Sequence, residues 1–403
     1  MAATSHTVTG NTSQTQPENR VFYPALDGLR AVALLLVFFQ HYASIPWGWS
    51  GVNLFFVLSG FLITGILFDT RDDAHRARNF YVRRTLRIFP LYYGVFLVLL
   101  LLYPVVHWRW TGSWIAWPLY FGNFLILRSP AVLDGDSMQA LSAFGRLTCA
   151  RFPYSTVYLG HFWSLCVEEQ FYLFWPWIVF WLRSRRALAW FCGVTIVAVP
   201  LLRVAAQHLA PSWMLQAGIL DRLTPFQLDS LLLGGLVALL WRGSHRERLL
   251  AAGKIVSALC ATVALIYLAV TMHQSAPDWR AGYHYPTWEN TWGLSLINIF
   301  AAAVILCALL PGSALYRALN LRPLRWLGRI SYGAYVLHDI PHKLYEHVIA
   351  LMSRHSALVA SHKGPASTVL ALCCTILLAW LSFRFFESHF LNLKDRWTVR
   401  SDA

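Results

Sequence analysis

Runs of about 20 apolar residues recur along almost the whole chain and are separated by short polar turns. A helix needs about 20 apolar residues to cross the hydrocarbon layer of a bilayer. The pattern therefore predicts ten membrane spans, in a chain whose termini face the same side. The candidate spans are residues 25–44, 51–68, 88–106, 163–182, 187–206, 226–241, 249–271, 291–311, 330–351 and 366–386.

Composition supports the same fold class. The 403 residues are 57% hydrophobic and 13% charged, whereas soluble domains carry about 25% charged residues. A soluble globular enzyme and a disordered chain are therefore excluded. We expect an all-α, polytopic integral membrane helix bundle at residues 23–390. The polar segment 1–22 is predicted to be a disordered tail and not a signal peptide, and 391–403 a short C-terminal tail.

The basic excess fixes the predicted orientation. Lys and Arg number 33 against 19 Asp and Glu, a net charge of +14. Most of these cations lie in alternate turns, at 71–87, 183–186, 242–254 and 317–329, and short cytoplasmic loops are the ones enriched in Lys and Arg. Both termini are then cytoplasmic, and the apolar stretch 114–127 is a re-entrant or short helix and not an eleventh span. Nucleic acid is not an expected partner.

The first span carries two ionisable residues, Arg30 and His41, which are costly in a membrane and thus candidate functional groups. The eleven-residue spacing places both side chains on one helix face, about 16 Å apart along the axis. A snorkelling arginine and an interfacial histidine would explain the same spacing.

The fourth span opens with HFWSLCVEEQFYLFWP. Glu168 and Glu169 are adjacent, so only one of them can share a site closely with His41. A histidine beside a carboxylate is the usual arrangement of a general base, and Glu168 is the predicted partner. A structural pair between Glu168 and an arginine is the alternative. His161 and Trp163 lie at the rim of this span, where Trp163 is expected to be an interfacial anchor.

Basic residues lead into the third and ninth spans. Arg84 and Arg87, in NFYVRRTLRIFP, share a face at the predicted start of a helix, which suits a phosphate ligand. Positive-inside anchoring explains such arginines equally well. In the ninth span Arg329 precedes ISYGAYVLH, which carries three further candidates: Ser331, Tyr332 and His338. His338 is either a structural histidine or a site residue.

The sequence has no other recognisable catalytic or cofactor-binding motif. It contains no P-loop, GxGxxG, HExxH or GxSxG motif. The seven cysteines have no metal-ligand spacing, so no metal is expected. The small residues of GVNLFFVLSGFLITG indicate helix packing.

Five ordered segments resemble the membrane acyltransferase 3 family: LDGLRAVA with His41, GVNLFFVLSGFLIT, FYVRRTLRIFPLYY, HFWSLCVEEQFYLFWP and GRISYGAYVLH. The resemblance covers residues 23–390 and implies a multi-pass enzyme of the bacterial inner membrane. Such enzymes move an acyl group, most often acetyl, from acyl-CoA to a carbohydrate hydroxyl. The family's functional positions fall on Arg30, His41, Arg84, Arg87, Trp163, Ser164, Glu168, Ser331, Tyr332 and His338.

The resemblance also sets mechanistic expectations. Acyl-CoA would be a substrate and not a permanently bound cofactor, with its phosphates on Arg84 and Arg87 and also on Arg30 and Arg329. Glu168 or Asn53 would orient His41, which acts as base or as transient acyl carrier. Asn53 replaces the family's common Asp, so a hydrogen-bonding role is expected there. The sequence carries no SGNH-type domain after Glu387, so we expect the membrane core to complete the transfer.

Two other classes stay open at the level of sequence. In a transporter or flippase, Arg30, His41 and Glu168 would line a substrate path. A receptor or scaffold would not explain why a His and a Glu are buried within the spans. The acceptor glycan and the oligomeric state are not set by the sequence.

Overall fold

The computed structural model describes residues 23–45, 47–106, 115–128, 150–151, 156–157, 159–216, 218–244, 246–273 and 289–399. The predicted tail 1–22 and residues 400–403 lie outside these ranges. The described chain is helical apart from one antiparallel pair of two-residue strands, β1 (Ala150–Arg151) and β2 (Thr156–Val157). The all-α prediction is confirmed to that extent.

Four long helices build the first half of the bundle. Three of them match a predicted span to within about one residue, whereas the third begins twelve residues before its predicted span, 88–106. Pro24, whose fixed φ suits a first helical position, begins the first of them. The helices are α1 (Pro24–Ala43), α2 (Ser50–Asp69), α3 (Arg76–Val106) and α4 (Trp163–Trp181). The stretch predicted to be short or re-entrant ends in a seven-residue 3-10 helix, Gly122–Arg128, which is too short to cross a bilayer.

The second half of the bundle contains several short helices between the long ones. Its long helices again follow the predicted spans. The elements are α5 (Arg185–Leu209), α6 (Ser212–Gln216), α7 (Ile219–Arg222), α8 (Leu228–Trp241), α9 (Arg246–His273), α10 (Leu294–Ala308), α11 (Ala314–Leu319), α12 (Arg322–Arg329), α13 (Ser331–Leu337), α14 (His342–Met352), α15 (Ala357–Ser361), α16 (Lys363–Ser382) and α17 (Ser388–Trp397).

The prediction of one continuous helix over 330–351 is wrong. The segment contains α13 and α14, separated by His338, Asp339, Ile340 and Pro341. Proline lacks a backbone N–H and its ring clashes with the preceding helical turn, so Pro341 ends one helix and precedes the next. The break leaves a carboxylate and a histidine beside each other within the bundle.

Helices α2 and α8 cross at very short range. A Cβ atom on Gly60 would lie 1.8 Å from the carbonyl oxygen of Leu231, and one on Gly234 would lie 2.0 Å from that of Val57. Only glycine fits at both positions, which confirms the packing role predicted for the small residues of α2. The contact holds α2 rigidly behind the site.

Among the described residues, six helices are long and apolar enough to cross a membrane: Pro24–Ala43, Ser50–Asp69, Arg76–Leu102, Arg185–Leu209, Asn290–Ala308 and Lys363–Lys394. Large apolar side chains face outward on several of them, for example Leu101 on α3 (67% exposed) and Trp190 on α5 (75%). Such surfaces suit lipid and not water. The chain is thus a multi-pass membrane protein, and the total of ten spans with cytoplasmic termini stays a prediction.

Candidate active site

A cavity of about 270 Å³ lies within the bundle. Helices α1 to α4 and α13 supply its walls. Its lining is apolar along α2, through Val52 and Phe55, but carries charged groups at one end. Ligand sites commonly combine such an apolar wall with a few convergent polar groups.

Three arginines line the charged end of this cavity: Arg30 of α1 with Arg84 and Arg87 of α3. Their charges interact with one another and with Asp27, which also receives a hydrogen bond from Arg30 at 3.3 Å. The Arg84 guanidinium carbon lies 4.0 Å from the centre of the Tyr172 ring, and its buried Nε has no hydrogen-bond partner among the described residues. An anion would satisfy this unpaired donor.

Two expectations about the arginines need correction. Helix α3 begins at Arg76, so Arg84 and Arg87 lie in its third and fourth turns, and the helix dipole, which acts within the first turn, does not add to their charge. Arg329 is exposed and is not part of the cavity lining. The structure brings together three of the four arginines predicted to bind acyl-CoA.

The two adjacent carboxylates of α4, Glu168 and Glu169, both line the cavity. Ser59 and Tyr172, hydrogen-bonded to each other, line the wall near them. The charge of Arg84 acts on both carboxylates. Sequence reasoning placed Glu168 next to His41, whereas the structure places it in the cavity among the arginines.

His41, near the end of α1, faces a different carboxylate. Its Nδ1 lies 3.4 Å from a carboxylate oxygen of Asp339, in the break between α13 and α14. The prediction that Glu168 or Asn53 orients His41 is therefore wrong. Asp339 is itself buried and also contacts Nδ1 of His342 at 3.1 Å. A carboxylate on Nδ1 fixes the tautomer that leaves Nε2 free to take a proton.

His161 and His338 complete a cluster of imidazoles around Asp339. The ring of His338 lies 5.0 Å from that of His41 and 4.8 Å from that of His161. Nδ1 of His338 donates to the carbonyl of Tyr335 at 2.7 Å, and Nε2 of His161 donates to that of Val336 at 3.1 Å. Both rings are thereby fixed to α13. The His41 side chain is 26% exposed, against 1% for His161, so His41 is the more accessible of these two imidazoles.

The remaining predicted residues divide between the cavity and the packing around it. Ser331 and Tyr332 line the cavity, and the Tyr332 hydroxyl donates to the carbonyl of Ile88 at 2.7 Å. Asn53 does make the expected kind of hydrogen bond, but with Asn298, at 2.8 Å. Trp163 packs edge-on against Phe56.

Asp339 is the candidate site residue that the sequence patterns did not reveal. It was hidden inside a predicted span, in the segment HDIPHK. An acidic residue and a proline within an apolar run were the available signal for a broken, polar segment. Within the part of the chain that the structure describes, no cluster of three or more His, Cys, Asp and Glu side chains could hold a metal ion.

An apolar cavity with an arginine end, and a histidine and carboxylate pair inside the same membrane bundle, fit a membrane-embedded transferase. Comparison with known families agrees. The acyltransferase domain family matches residues 23–384, and the chain belongs to that family. The resemblance seen in the sequence is confirmed.

Individual relatives carry O-acetyltransferase names. The putative peptidoglycan O-acetyltransferase YrhL of Bacillus subtilis is 31% identical, over 91% of this chain and 54% of its own length. The peptidoglycan O-acetyltransferase OatA of Listeria monocytogenes is 27% identical, over 92% of this chain and 56% of its own length. The chain thus spans about half the length of these relatives. No solved structure matches the chain.

Proposed function

We propose that this protein transfers a short acyl group, acetyl in the simplest case, from acyl-CoA to a hydroxyl of a cell-envelope carbohydrate. The observation that carries the proposal is the pairing of His41 with Asp339 next to an arginine-lined cavity in a member of the acyltransferase family. The names of the relatives support acetyl as the group and an envelope glycan such as peptidoglycan as the acceptor class.

The arginine end of the cavity fits the phosphates of the donor. Guanidinium groups stay charged and donate to phosphate oxygens in a two-pronged fork, and Arg30, Arg84 and Arg87 converge there. The pantetheine arm is long and has methylene and methyl groups in addition to its two amides. It would lie along the apolar wall formed by α2, with the thioester toward the histidine cluster.

His41 supplies the base. Its Nε2 removes the proton of the acceptor hydroxyl while the hydroxyl oxygen attacks the thioester carbon. The carbon–sulfur bond then breaks, and the departing CoA thiolate takes the proton from the imidazolium. Asp339 stabilises the imidazolium that forms between these steps, since it lies against Nδ1. General-base assistance of this kind contributes about 10² to 10⁴ in rate.

The test compares two histidine variants in membranes supplied with labelled acetyl-CoA and envelope glycan. His41→Gln should lower acetyl transfer by about 10² to 10⁴, with an unchanged melting temperature. His347→Gln, which alters an exposed histidine on α14, is the matched control and should keep full transfer. A folded His41→Gln protein with full transfer would contradict the proposal.

A transporter or flippase predicts a different result from the same membranes. Acetyl would then cross the bilayer or remain on CoA without appearing as an ester on glycan. Mass spectrometry of the glycan from cells with and without the gene separates these outcomes, because an added acyl mass identifies the transferred group and the acceptor class together.

A further inference from the structure

The donor cavity and the histidine cluster are separated by a pair of hydroxyl groups. The cavity ends on Ser164 of α4 and Tyr335 of α13, and His41 is not among its lining residues. The Tyr335 ring packs edge-on against Phe55 of the cavity wall. On its other side it contacts His161, at a ring separation of 5.8 Å, and His338, at 5.6 Å.

Helix geometry puts this pair at nearly the level of His41. Arg84 contacts Tyr172 at the charged end of the cavity, and Ser164 lies eight residues earlier on α4, about 12 Å along the axis. His41 lies eleven residues beyond Arg30, or about 16 Å along α1. The hydroxyl pair and His41 are therefore each separated from an arginine contact at the charged end by about 12 to 16 Å of helix.

The hydrogen bonds of the pair leave one proton weakly held. The Ser164 and Tyr335 oxygens are 2.5 Å apart, and the carbonyl of His161 lies 3.1 Å from the first and 3.2 Å from the second. The two hydroxyls have two protons between them. One proton fills the short bond, so the other makes a bond to the carbonyl that is longer than the usual 2.7 to 2.8 Å for O–H···O.

We propose that the hydrogen-bonded hydroxyls of Ser164 and Tyr335 together supply one hydrogen bond to the carbonyl oxygen of the donor thioester and stabilise the negative charge that this oxygen acquires during attack. This inference rests on the proposed function. As the acceptor oxygen bonds to the thioester carbon, the carbonyl π electrons move to oxygen. The weakly held proton turns from the His161 carbonyl to this oxyanion, because a charged acceptor makes the stronger hydrogen bond. When the carbon–sulfur bond breaks, the carbonyl re-forms and the hydroxyls return to their resting contacts.

The short bond strengthens the arrangement. The hydroxyl that donates to the oxyanion accepts a hydrogen bond from the other, so polarisation of the first is supported by the second. Both groups are buried, with Ser164 4% and Tyr335 7% exposed. Donors held in such a water-poor site need no reorganisation at the moment of reaction.

A structural link between α4 and α13 is the competing explanation, and kinetics separates the two. Tyr335→Phe keeps the ring and removes the hydroxyl. We expect kcat to fall by about 10² to 10³, with KM for acetyl-CoA changed less than threefold. Ser164→Ala should act in the same direction, and the double variant should lose less than the product of the two single losses because the hydroxyls act as a unit.

Two analogues of the donor provide a readout that a structural role would not change. The trifluoromethyl ketone analogue of acetyl-CoA forms a tetrahedral hydrate that mimics the attacked carbonyl. S-ethyl-CoA is a thioether and has no thioester carbonyl. Tyr335→Phe should weaken binding of the ketone analogue by at least tenfold and leave that of S-ethyl-CoA unchanged.

Tyr92→Phe is the matched control. Tyr92 is fully buried and its hydroxyl donates to the Trp117 carbonyl at 2.6 Å, away from the cavity lining. The Tyr92→Phe variant should have a lower melting temperature, with unchanged kcat and unchanged affinity for both analogues. The inference would be overturned if Tyr335→Phe lost equal affinity for both analogues, or if its kcat stayed within threefold of the parent. If His41→Gln is inactive in that case, the proposed function stands; if it is active, the function fails as well.

Discussion

Two buried carboxylates occupy very different surroundings. Asp229 on α8 pairs with Arg203 of α5, which is fully buried. The guanidinium has five N–H donors, and its five contacts reach Asp229, the carbonyl of Phe226 from two nitrogens, the carbonyl of Thr291 and the hydroxyl of Ser295. Asp229 also accepts from Ser295 at 2.8 Å and from the Ser230 backbone N–H at 3.0 Å.

Asp339 lies instead beside two imidazoles, those of His161 and His338, that each have an unpaired ring nitrogen. Among the described residues, Nδ1 of His161, 3.9 Å from Asp339, has no hydrogen-bond partner, and neither has Nε2 of His338. A complete network is what stability requires of buried polar groups. Buried nitrogens left unpaired inside a membrane bundle are costly, and the proposed transfer of substrate protons would explain their retention. Whether the hydrogen bonds around a buried carboxylate are complete therefore distinguishes a structural ion pair from a candidate chemical site better than the residue types do.

The largest expected effect comes from breaking the pair between His41 and Asp339. Asp339→Asn keeps the shape of the side chain, but its amide can donate to Nδ1 and favour the tautomer with the proton on Nε2. The base is then blocked, and we expect kcat for acetyl transfer to fall by about 10² to 10⁴. Steady-state kinetics with acetyl-CoA at saturation measures this loss.

Glu346→Gln is the matched control for that variant. Glu346 is 49% exposed and contacts Nε2 of His342 at 3.4 Å, on the same helix that follows Asp339. It should change kcat by less than twofold. Equal losses in the two variants would mean that a diffuse negative charge, and not the contact with His41, supports the reaction.

Much of the bundle could be predicted from the sequence because lipid imposes a simple rule on it. The apolar runs beginning near 25, 51 and 187 predict α1, α2 and α5 to within a few residues, since each helix must present about 20 apolar residues to the bilayer. The arginine end of the cavity was also predicted in part. Arg30, Arg84 and Arg87 converge there because ionisable residues in spans must share a polar cavity.

The partner of His41 could not be predicted in the same way. Helical spacing fixes which residues share a face of one helix, but it does not fix which helices are neighbours. Glu168 was the conspicuous carboxylate in the sequence, whereas Asp339 reaches His41 only because α13 ends early and α1 packs beside it. Contacts that depend on the packing of distant segments need the structure.

A second prediction concerns the fully hydrogen-bonded ion pair of Arg203 and Asp229. Arg203→Leu leaves Asp229 buried without its cation, and breaking a buried ion pair on one side costs about 3 to 5 kcal/mol. We expect a large drop in melting temperature in detergent and a lower yield of folded protein. The kcat per folded molecule should stay the same, since neither residue touches the cavity.

Two further variants sharpen this result. Arg186→Leu removes an exposed arginine from the same helix and should leave the melting temperature within a degree or two. Arg203→Met combined with Asp229→Leu removes both charges and should recover part of the loss, because paired apolar replacements avoid an isolated buried charge. A loss of kcat per folded molecule in Arg203→Leu would show that the network acts on the site after all.

The smallest expected effect is on the affinity for acetyl-CoA, and it should follow the arginines of the cavity and not the structural Arg203. Arg84→Gln with Arg87→Gln removes donors for a bound anion. A hydrogen bond to a charged group contributes about 1.5 to 3 kcal/mol, and 1.4 kcal/mol is a tenfold change in affinity. We expect the dissociation constant for acetyl-CoA, measured by thermal stabilisation of purified protein, to rise at least tenfold with little change in kcat at saturation. Arg183→Gln with Arg186→Gln removes the same charge from exposed positions and should leave the constant unchanged. If both pairs weaken binding equally, net charge attracts the donor and the cavity arginines do not bind it.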